Sequence, residues 1–247
     1  LADIAEVIRT RCRPEVRIFS DEIYEHILFD GHSHHSIASE EGMGERTIVC
    51  SGFSKSFAMT GWRLGYAVLP TAVEADVFKQ FNINTVSCVP PFIQMTGIEA
   101  LTNEACLAQV SAMVSEFQER RDHVVEALKS LPGVTCAQPG GAFYVFPGVG
   151  KACADLGVID AFEQLEEEIK SRTSPATLLQ MFLLYEHGVA TMDRRSFGAI
   201  GSEGEHYLRL SIAADRATLE EGIDRIGKGL GDREGFARFV QAGENLY

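Results

Sequence analysis

The spacing of apolar residues along the first half of the chain predicts alternating helices and strands. Ile4, Val7 and Ile8 share one face of a predicted helix over residues 2–12, and Pro14 ends it. Short apolar runs farther along are typical of strands, whereas longer runs with helical spacing are typical of helices. The predicted strands cover residues 16–19, 47–51 and 64–69, and the predicted helices cover residues 72–83, 91–102 and 104–131. Short strands separated by helices favour an α/β fold with a mainly parallel sheet and helices on its faces.

The second half of the chain has the pattern of a smaller α/β domain. Pro132 and Gly133 end the long predicted helix, and we place a domain boundary there. The predicted strands beyond it cover residues 134–138, 142–147, 188–192 and 206–212, and the predicted helices cover residues 160–172, 174–187 and 216–230. We therefore predict a partial large domain over residues 1–132, which includes the long connecting helix, and a small domain over residues 133–247. Residues 150–175 have the pattern of a variable insertion.

The charge of the chain narrows the range of partners. The formal net charge is −13 over 247 residues, which argues against non-specific binding to nucleic acid or to an anionic membrane. No apolar run is long enough to span a bilayer, and the acidic first residues lack the basic start of a secretory signal. We therefore expect neither a nucleic-acid nor a membrane partner.

The cysteines and histidines give no metal signature. Six cysteines are scattered without Cys-x-x-Cys spacing, which is typical of reduced thiols in a cytoplasmic protein. His32, His34 and His35 lie in a polar stretch whose spacing follows no familiar metal site. We expect these histidines to be exposed to solvent, and we predict no metal site.

The segment from Ser51 to Tyr66 carries the strongest chemical signal. It places Lys55 and Arg63 in a turn of small residues with aromatic flanks, between two apolar stretches. Asp21 and Lys55 each follow a predicted strand, and ligands collect at the carboxyl ends of parallel strands, so both should point into one crevice. A lysine amine becomes a nucleophile toward carbonyls when its neutral form is favoured, and pyridoxal phosphate is the cofactor that most often exploits such a lysine.

Four segments, in order along the chain, resemble the class I/II aminotransferases, the pyridoxal-phosphate-dependent family of fold type I. The four are an Asp-x-x-Tyr segment at residues 20–25, a cofactor-lysine segment at residues 51–66, a Gly-Ala-Phe-Tyr strand at residues 141–147 and a carboxylate-arginine strand at residues 206–211. Because these segments span most of the chain, the resemblance implies a fold type I architecture with a partial large domain and a small C-terminal domain.

The resemblance implies a role for four residues that would hold the cofactor. Lys55 would form a Schiff base with pyridoxal phosphate and move a proton between the substrate and the cofactor. Asp21 would bond the pyridine nitrogen and keep it protonated, and Tyr24 would donate to the phenolic oxygen of the ring. Arg63 would bind the phosphate, since a planar guanidinium suits that group. The ordinary alternatives remain a loop lysine, a helix cap, a buried tyrosine and a surface arginine.

The resemblance implies roles for three further residues, of which two serines match the family less closely and one arginine would bind the substrate. Ser51 and Ser54 could add hydroxyl donors to the phosphate, but Gly52 stands where many members place the phosphate-binding serine. Arg209 would bind the substrate α-carboxylate as a bidentate fork. Its alternative is an outward-facing arginine on an edge strand.

One stretch departs from the family pattern. Many members read Pro-Gly-Ser-x-Phe-Gly before the carboxylate-arginine strand, whereas residues 193–198 read Asp-Arg-Arg-Ser-Phe-Gly. Arg194 and Arg195 either favour a dicarboxylic substrate or are solvent-facing charges.

The resulting hypothesis is an aminotransferase that moves an amino group from an amino acid, of aspartate or aromatic type, to a 2-oxo acid. The resemblance also implies a homodimer. A lyase, decarboxylase or synthase of the same fold would use the same residues, because the same cofactor serves all of them. An aminotransferase-like sensing domain of a transcription regulator is the alternative from another class.

The start of the chain implies that a part of the family's large domain is missing. The chain opens on a helix, and Asp21 is only one predicted strand away. We therefore expect it to cover about the last two-thirds of a family member. The missing third would carry a Gly-rich phosphate-binding turn, an aromatic that stacks on the ring and an asparagine that bonds the ring hydroxyl.

Overall fold

A computed structural model describes residues 1–198 and 204–247. These residues pack into two compact units. Unit 1 comprises Leu1–Ser115 together with Gly140–Ala142, and unit 2 comprises Glu116–Pro139 together with Phe143–Tyr247. The packing changes from one unit to the other inside a long helix, whereas the domain boundary predicted near residue 132 lies after it. That boundary stays a prediction.

Unit 1 contains three strands and the helices that the apolar spacing predicts. The helices are α1 (Ala2–Arg11), α2 (Ala72–Thr85), α3 (Pro91–Thr102) and the first part of α4 (Glu104–Lys129), and the strands are β1 (Ile18–Asp21), β2 (Thr47–Gly52) and β3 (Gly65–Val68). Thr71 caps α2 by accepting a hydrogen bond from the Glu74 amide, and Pro91 opens α3 at its first position. Short 3₁₀ helices form at Ile37–Ser39 and Thr60–Trp62.

The sheet of unit 1 is mixed, with strand order β1-β2-β3. β1 and β2 are parallel, with Asp21 opposite Cys50, whereas β2 and β3 are antiparallel, with Gly52 opposite Gly65. β3 reverses direction because residues 53–64 form turns and a 3₁₀ helix and contain no crossover helix. Consequently the start of β3 lies at the same edge of the sheet as the ends of β1 and β2.

Helices α2 and α3 expose much apolar surface. No residue of α2 is buried, and Val73, Val77 and Phe81 are 73%, 63% and 71% exposed. Phe92 and Met95 of α3 are similarly exposed. The three side chains of α2 recur every four residues and so share one face of the helix, and an exposed apolar face is typical of an interface rather than of a solvated surface. Across the described residues, no helix is both long and apolar enough to traverse a bilayer.

Unit 2 contains the rest of α4, six further helices and a three-stranded antiparallel sheet, among the residues that the structure describes. The helices are α5 (Gly150–Leu156), α6 (Val158–Glu163), α7 (Glu167–Lys170), α8 (Pro175–His187), α9 (Arg216–Gly231) and α10 (Arg233–Ala242). The strands are β4 (Tyr144–Val145), β5 (Met192–Asp193) and β6 (Leu208–Ser211), in the order β4-β6-β5. α5 and α10 are absent from the sequence prediction, and the helix predicted over residues 160–172 is two short helices.

The strand predicted over residues 134–138 is wrong. This segment pairs at a single bridge, Thr135 with Gly148, and residues 136–139 form no regular structure before the bend at Gly140. β4 and β5 are also shorter than predicted, because two residues of each join the sheet.

The core of unit 2 fixes the orientation of β6. Leu178, Leu179, Phe182 and Leu183 of α8 are fully buried, and each such side chain stabilises the fold by about 1.5–3 kcal/mol. Leu208 of β6 packs into the same core with 1% exposure. Since side chains alternate along a strand, Arg209 is directed to the opposite face of the sheet.

Candidate active site

Asp21 lies at the carboxyl end of β1. Its side chain is exposed, and its Oδ1 accepts a hydrogen bond from the Ile23 amide at 3.3 Å. Cys50 lies beside it on β2, and the pKa of the Cys50 thiol is raised, mainly by burial and further by the negative charge of Asp21. The Asp21 carboxylate is therefore available to a ligand at this edge of the sheet.

A cavity of about 470 Å³ in unit 1 brings Asp21 and Tyr24 together. Glu22, Glu25 and His34 line the same cavity. Lys55, Ser54 and Arg63 are not among its lining residues. Two of the six predicted cofactor-binding residues therefore share one cavity, three lie on the neighbouring loop, and Ser51 lies on β2.

A buried carboxylate holds the segment that carries Asp21 and Tyr24. Glu22 is 9% exposed, and its Oε1 accepts hydrogen bonds from Ser20 at 2.9 Å and Ser36 at 2.5 Å. Its Oε2 lies 2.8 Å from His34 Nε2. Burial, the largest single influence, acts to raise the pKa of Glu22, but the hydrogen bonds from Ser36, His34 and Ser20 together lower it below its usual value. The sequence does not indicate this cluster, and His34 was predicted only to be exposed to solvent.

Lys55 lies in a loop that β2 and β3 close. The loop comprises residues 53–64, and its ends are joined by a hydrogen bond from the Phe53 amide to the Leu64 carbonyl at 3.2 Å. Lys55 is half-buried, and its carbonyl accepts from the Ala58 amide at 3.2 Å. Ser56 Oγ donates to the Ile23 carbonyl at 3.4 Å. The loop that carries Lys55 is therefore bonded to the segment that carries Asp21 and Tyr24.

Two glycines, together called the glycine neck, lie opposite each other where the loop leaves and rejoins the sheet. Gly52 and Gly65 are opposite each other in the ladder. A Cβ atom on Gly52 would lie 2.9 Å from both Gly65 Cα and the Leu64 carbonyl oxygen. Because those atoms belong to the backbone, only glycine allows this close approach.

Arg63 returns to the sheet edge at the end of the loop. Its backbone is left-handed, with φ 53°, and its Nη1 donates to the Thr60 carbonyl at 2.8 Å. Arg63 precedes β3, so the antiparallel direction of that strand places it near the ends of β1 and β2. Its side chain is exposed and is thus accessible to an anion.

Ser51 and Ser54 differ in their surroundings. Ser51 is buried, and its Oγ donates to Glu25 Oε1 at 2.5 Å, an oxygen that also accepts from Tyr66 at 3.1 Å. Burial, followed by the charge of Glu25, raises the pKa of Tyr66 despite its hydrogen bond with Ser51. Since the Glu25 carboxylate repels a phosphate at the same hydroxyl, this geometry gives the predicted role of Ser51 no support. Ser54 is half-buried in the turn before Lys55.

Arg209 lies in unit 2, where aromatic rings surround its guanidinium. Its Cζ is 4.3 Å from the centre of the Tyr144 ring and 4.7 Å from the centre of the Phe197 ring. Its Nη2 contacts Met192 Sδ at 2.8 Å. Such contacts favour one fixed orientation of the planar guanidinium. In a fixed orientation its edge can bind a carboxylate through two parallel hydrogen bonds.

Arg194 and Arg195 have backbone partners. Arg195 donates to the carbonyls of Thr173 and Ser171, and Arg194 Nη1 donates to the Gly198 carbonyl at 3.0 Å. Arg195 therefore joins its own segment to the start of α8, which is neither of the two roles considered from the sequence.

The donor groups of unit 1 fit pyridoxal phosphate. An amine, a carboxylate, a phenol and a guanidinium belong to Lys55, Asp21, Tyr24 and Arg63, and all four follow or precede strands at one edge of the sheet. These groups complement the aldehyde, the pyridine nitrogen, the phenolic oxygen and the phosphate of that cofactor.

Known proteins share this arrangement of elements. The crystal structure of the aromatic aminotransferase from Pyrococcus horikoshii OT3 superposes with a TM-score of 0.76 at 34% identity, over 94% of this chain and 55% of that one. The aspartate aminotransferase of Pyrococcus abyssi (strain GE5 / Orsay) is 35% identical over 233 residues, which cover 94% of this chain and 53% of that protein. The aromatic-amino-acid aminotransferase 2 of Thermococcus litoralis is 34% identical, with the same coverage.

These relatives confirm the predicted α/β architecture of fold type I and correct the expected extent. The chain spans about half the length of the relatives that it matches, rather than two-thirds. The family model described as aminotransferase class I and II matches residues 1–226. The chain therefore belongs to the class I and II aminotransferases.

Proposed function

We propose that the full-length protein is a pyridoxal-phosphate-dependent aminotransferase that moves an amino group from an amino acid to a 2-oxo acid. The observation that carries this proposal is the gathering of Asp21, the Lys55 loop and Arg63 at one edge of the sheet. The names of the relatives, aspartate aminotransferase and aromatic-amino-acid aminotransferase, support donors of aspartate or aromatic type.

The residues of unit 1 would divide the work at the cofactor. When bound, pyridoxal phosphate supplies an aldehyde and an electron-accepting ring. Lys55 would hold the aldehyde through Nζ until the amino donor displaces it, and the freed amine would then take the proton from the substrate Cα, which is typically worth about 10²–10⁴-fold in rate. Asp21 keeps the pyridine nitrogen protonated, and Tyr24 donates to the phenolic oxygen. Arg63 pairs with the phosphate.

Three further residues complete the proposal. Arg209 binds the substrate α-carboxylate along the edge of its guanidinium. Ser54 donates to the phosphate from the turn before Lys55. Ser51 stabilises the neighbouring Glu25 carboxylate rather than the phosphate, as its hydrogen bond at 2.5 Å indicates.

An absorbance spectrum of the full-length protein with pyridoxal phosphate tests the proposal. We expect a band at the edge of the visible range that an amino donor bleaches and that is lost in Lys55→Ala. Lys79→Ala is the matched control, because Lys79 is an exposed lysine of α2. Product analysis with and without a 2-oxo acid acceptor separates transamination from lyase or decarboxylase chemistry.

Two results would contradict the proposal. A band that persists in Lys55→Ala assigns the cofactor to another lysine. Turnover that does not require a 2-oxo acid acceptor excludes an aminotransferase and favours a lyase or decarboxylase.

We further propose that the protein is a cytoplasmic homodimer. The exposed apolar side chains of α2 and α3 support an interface, and six free cysteines support a reducing compartment. Recovery of the protein from the extracellular fraction of its native cells would contradict the cytoplasmic assignment.

A further inference from the structure

Asp193 is a buried carboxylate that the proposed chemistry does not use. It is 3% exposed. Its Oδ1 accepts hydrogen bonds from the Ser196 amide at 2.9 Å and from Ser196 Oγ at 2.5 Å, and its Oδ2 accepts from Thr177 Oγ1. Its own amide donates to Gln180 Oε1 at 2.7 Å. The Asp193 carboxylate is therefore bonded through Oδ1 to the segment that follows it and through Oδ2 to α8. Its backbone amide is bonded to α8 as well.

The groups that donate hydrogen bonds to the Asp193 carboxylate are uncharged. Within the described ranges, no cation lies at ion-pair distance from it. Burial of a carboxylate without a cation is costly, even where hydrogen bonds offset part of that cost. A carboxylate in this position therefore indicates that the fold needs a strong hydrogen-bond acceptor with a fixed direction.

The hydrogen bonds of Asp193 fix the segment that contacts Arg209. Asp193 is the N-cap of the short 3₁₀ helix Arg194–Phe197, and this helix ends with the ring that lies 4.7 Å from the Arg209 guanidinium. Met192, the residue before Asp193, is opposite Arg209 in the β5–β6 ladder and contacts its Nη2. Two of the three side chains around the guanidinium thus flank one capped turn.

We propose that Asp193 is a positioning residue for substrate-carboxylate binding. By capping the turn, it holds Phe197 and Met192 against Arg209, so that the guanidinium keeps one orientation and presents its edge to a carboxylate. This inference rests on the proposed function, in which Arg209 binds the substrate. It identifies a residue at which the chain differs from the common family pattern.

Three variants of the full-length protein separate positioning from general stability. Asp193→Ala removes the cap. Phe197→Leu removes the ring directly, and it should fold because Phe197 is 49% exposed. Asp232→Ala is the matched control, because Asp232 caps α10 through the Gly235 amide at 2.8 Å and its contacts do not include Arg209.

The measurements are KM and kcat for the amino donor, the calorimetric dissociation constant of 3-phenylpropionate and the melting temperature. We expect Asp193→Ala and Phe197→Leu each to raise KM and the dissociation constant about tenfold, as expected when a guanidinium loses a well-placed ring. kcat should stay within about threefold, since the contact is made in the ground state as well. The double variant should be no worse than Asp193→Ala alone, because the loss of the cap already releases the ring that Phe197→Leu removes.

Each other outcome overturns the inference. If Asp193→Ala lowers only the melting temperature, as we expect of Asp232→Ala, the carboxylate has a purely structural role. If Phe197→Leu leaves both constants unchanged, the ring does not position Arg209. Arg209→Ala identifies a failure of the underlying proposal: if this variant leaves carboxylate binding unchanged, Arg209 does not bind the substrate. Calorimetry reports on this point even in a protein without turnover.

Discussion

At the scale of single residues, the segment of Asp21 and Tyr24, which is proposed to bind the cofactor, depends on a carboxylate that is not itself a proposed ligand. Glu22 follows Asp21 directly, and three polar side chains bond its carboxylate below the surface. The neighbouring Asp21 carboxylate is exposed. One acid thus fixes the backbone, and the acid that precedes it is left exposed for its proposed contact with the cofactor.

Substitution of Glu22 should change how stability depends on pH. The pKa of Glu22 is lowered in the folded state, so its ionised form stabilises the fold above about pH 4.5, and this contribution is lost as the pH falls through the lowered value. We expect Glu22→Gln to cost about 1–3 kcal/mol at pH 7. Below pH 4.5 the difference from the unsubstituted protein should shrink. Urea unfolding of the full-length protein from pH 7 to pH 3 measures this.

Glu40→Gln is the control for that measurement. Glu40 pairs with His35 at 2.9 Å, but His35 is 58% exposed, so the loss should be small at every pH. A constant difference between Glu22→Gln and the unsubstituted protein across this pH range would show that Glu22 does not ionise as inferred.

The sequence identifies candidate reactive residues where one local segment carries them. Lys55 and Arg63 stand in one short segment whose composition indicates the chemistry. Glu22 and Asp193 were missed because their partners are distant in sequence: Ser36 is 14 positions from Glu22, and Thr177 is 16 positions from Asp193. Asp193 itself is a local signal, since Asp is a preferred N-cap residue whose carboxylate accepts from an amide two or three residues later.

At the scale of elements, the glycine neck determines the geometry of the Lys55 loop. Gly52 and Gly65 close the loop without side chains. We expect Gly52→Ala to destabilise the full-length protein by about 1–3 kcal/mol, because the new methyl group meets backbone atoms that cannot yield. The melting temperature and the affinity for pyridoxal phosphate should both fall.

Gly61→Ala provides a matched comparison within the same loop. A Cβ atom on Gly61 would meet nothing within 4 Å, so this variant should be neutral or slightly stabilising. Equal stability of the two variants would show that the neck tolerates a side chain.

Elements differ in how far the sequence predicts them. Long helices with clear apolar spacing, such as α4 and α9, match the prediction to within two residues at each end. The strands of unit 2 do not, because β4 and β5 each pair over two residues and a 3₁₀ helix follows β5 directly. α5 was not predicted because it is a helix of only seven residues, which begins at Gly150 and is followed by Gly157.

At the scale of the whole molecule, the apolar surface of α2 and α3 requires a partner surface. This chain spans about half the length of its relatives, and Val73, Phe81 and Phe92 are largely bare in it. We expect the full-length protein to sediment as a dimer at micromolar concentration, since obligate interfaces bury apolar area of this kind. Sedimentation velocity across a dilution series measures the mass.

A monomer mass at every concentration would contradict the homodimer. In that case the bare faces of α2 and α3 would have to be covered within one polypeptide. The resemblance to the family implies a homodimer but not the surface that forms it. The exposure of α2 is known only when its neighbours in the fold are placed.

The glycine neck has a consequence for engineering. Because one backbone pair holds both ends of residues 53–64, we expect the corresponding stretch of a relative to replace this segment without change to the anchoring strands, if the buried Phe53, Ser56 and Met59 are kept. Such an exchange transfers the lysine and the arginine together, so a chimera keeps their spacing along the chain.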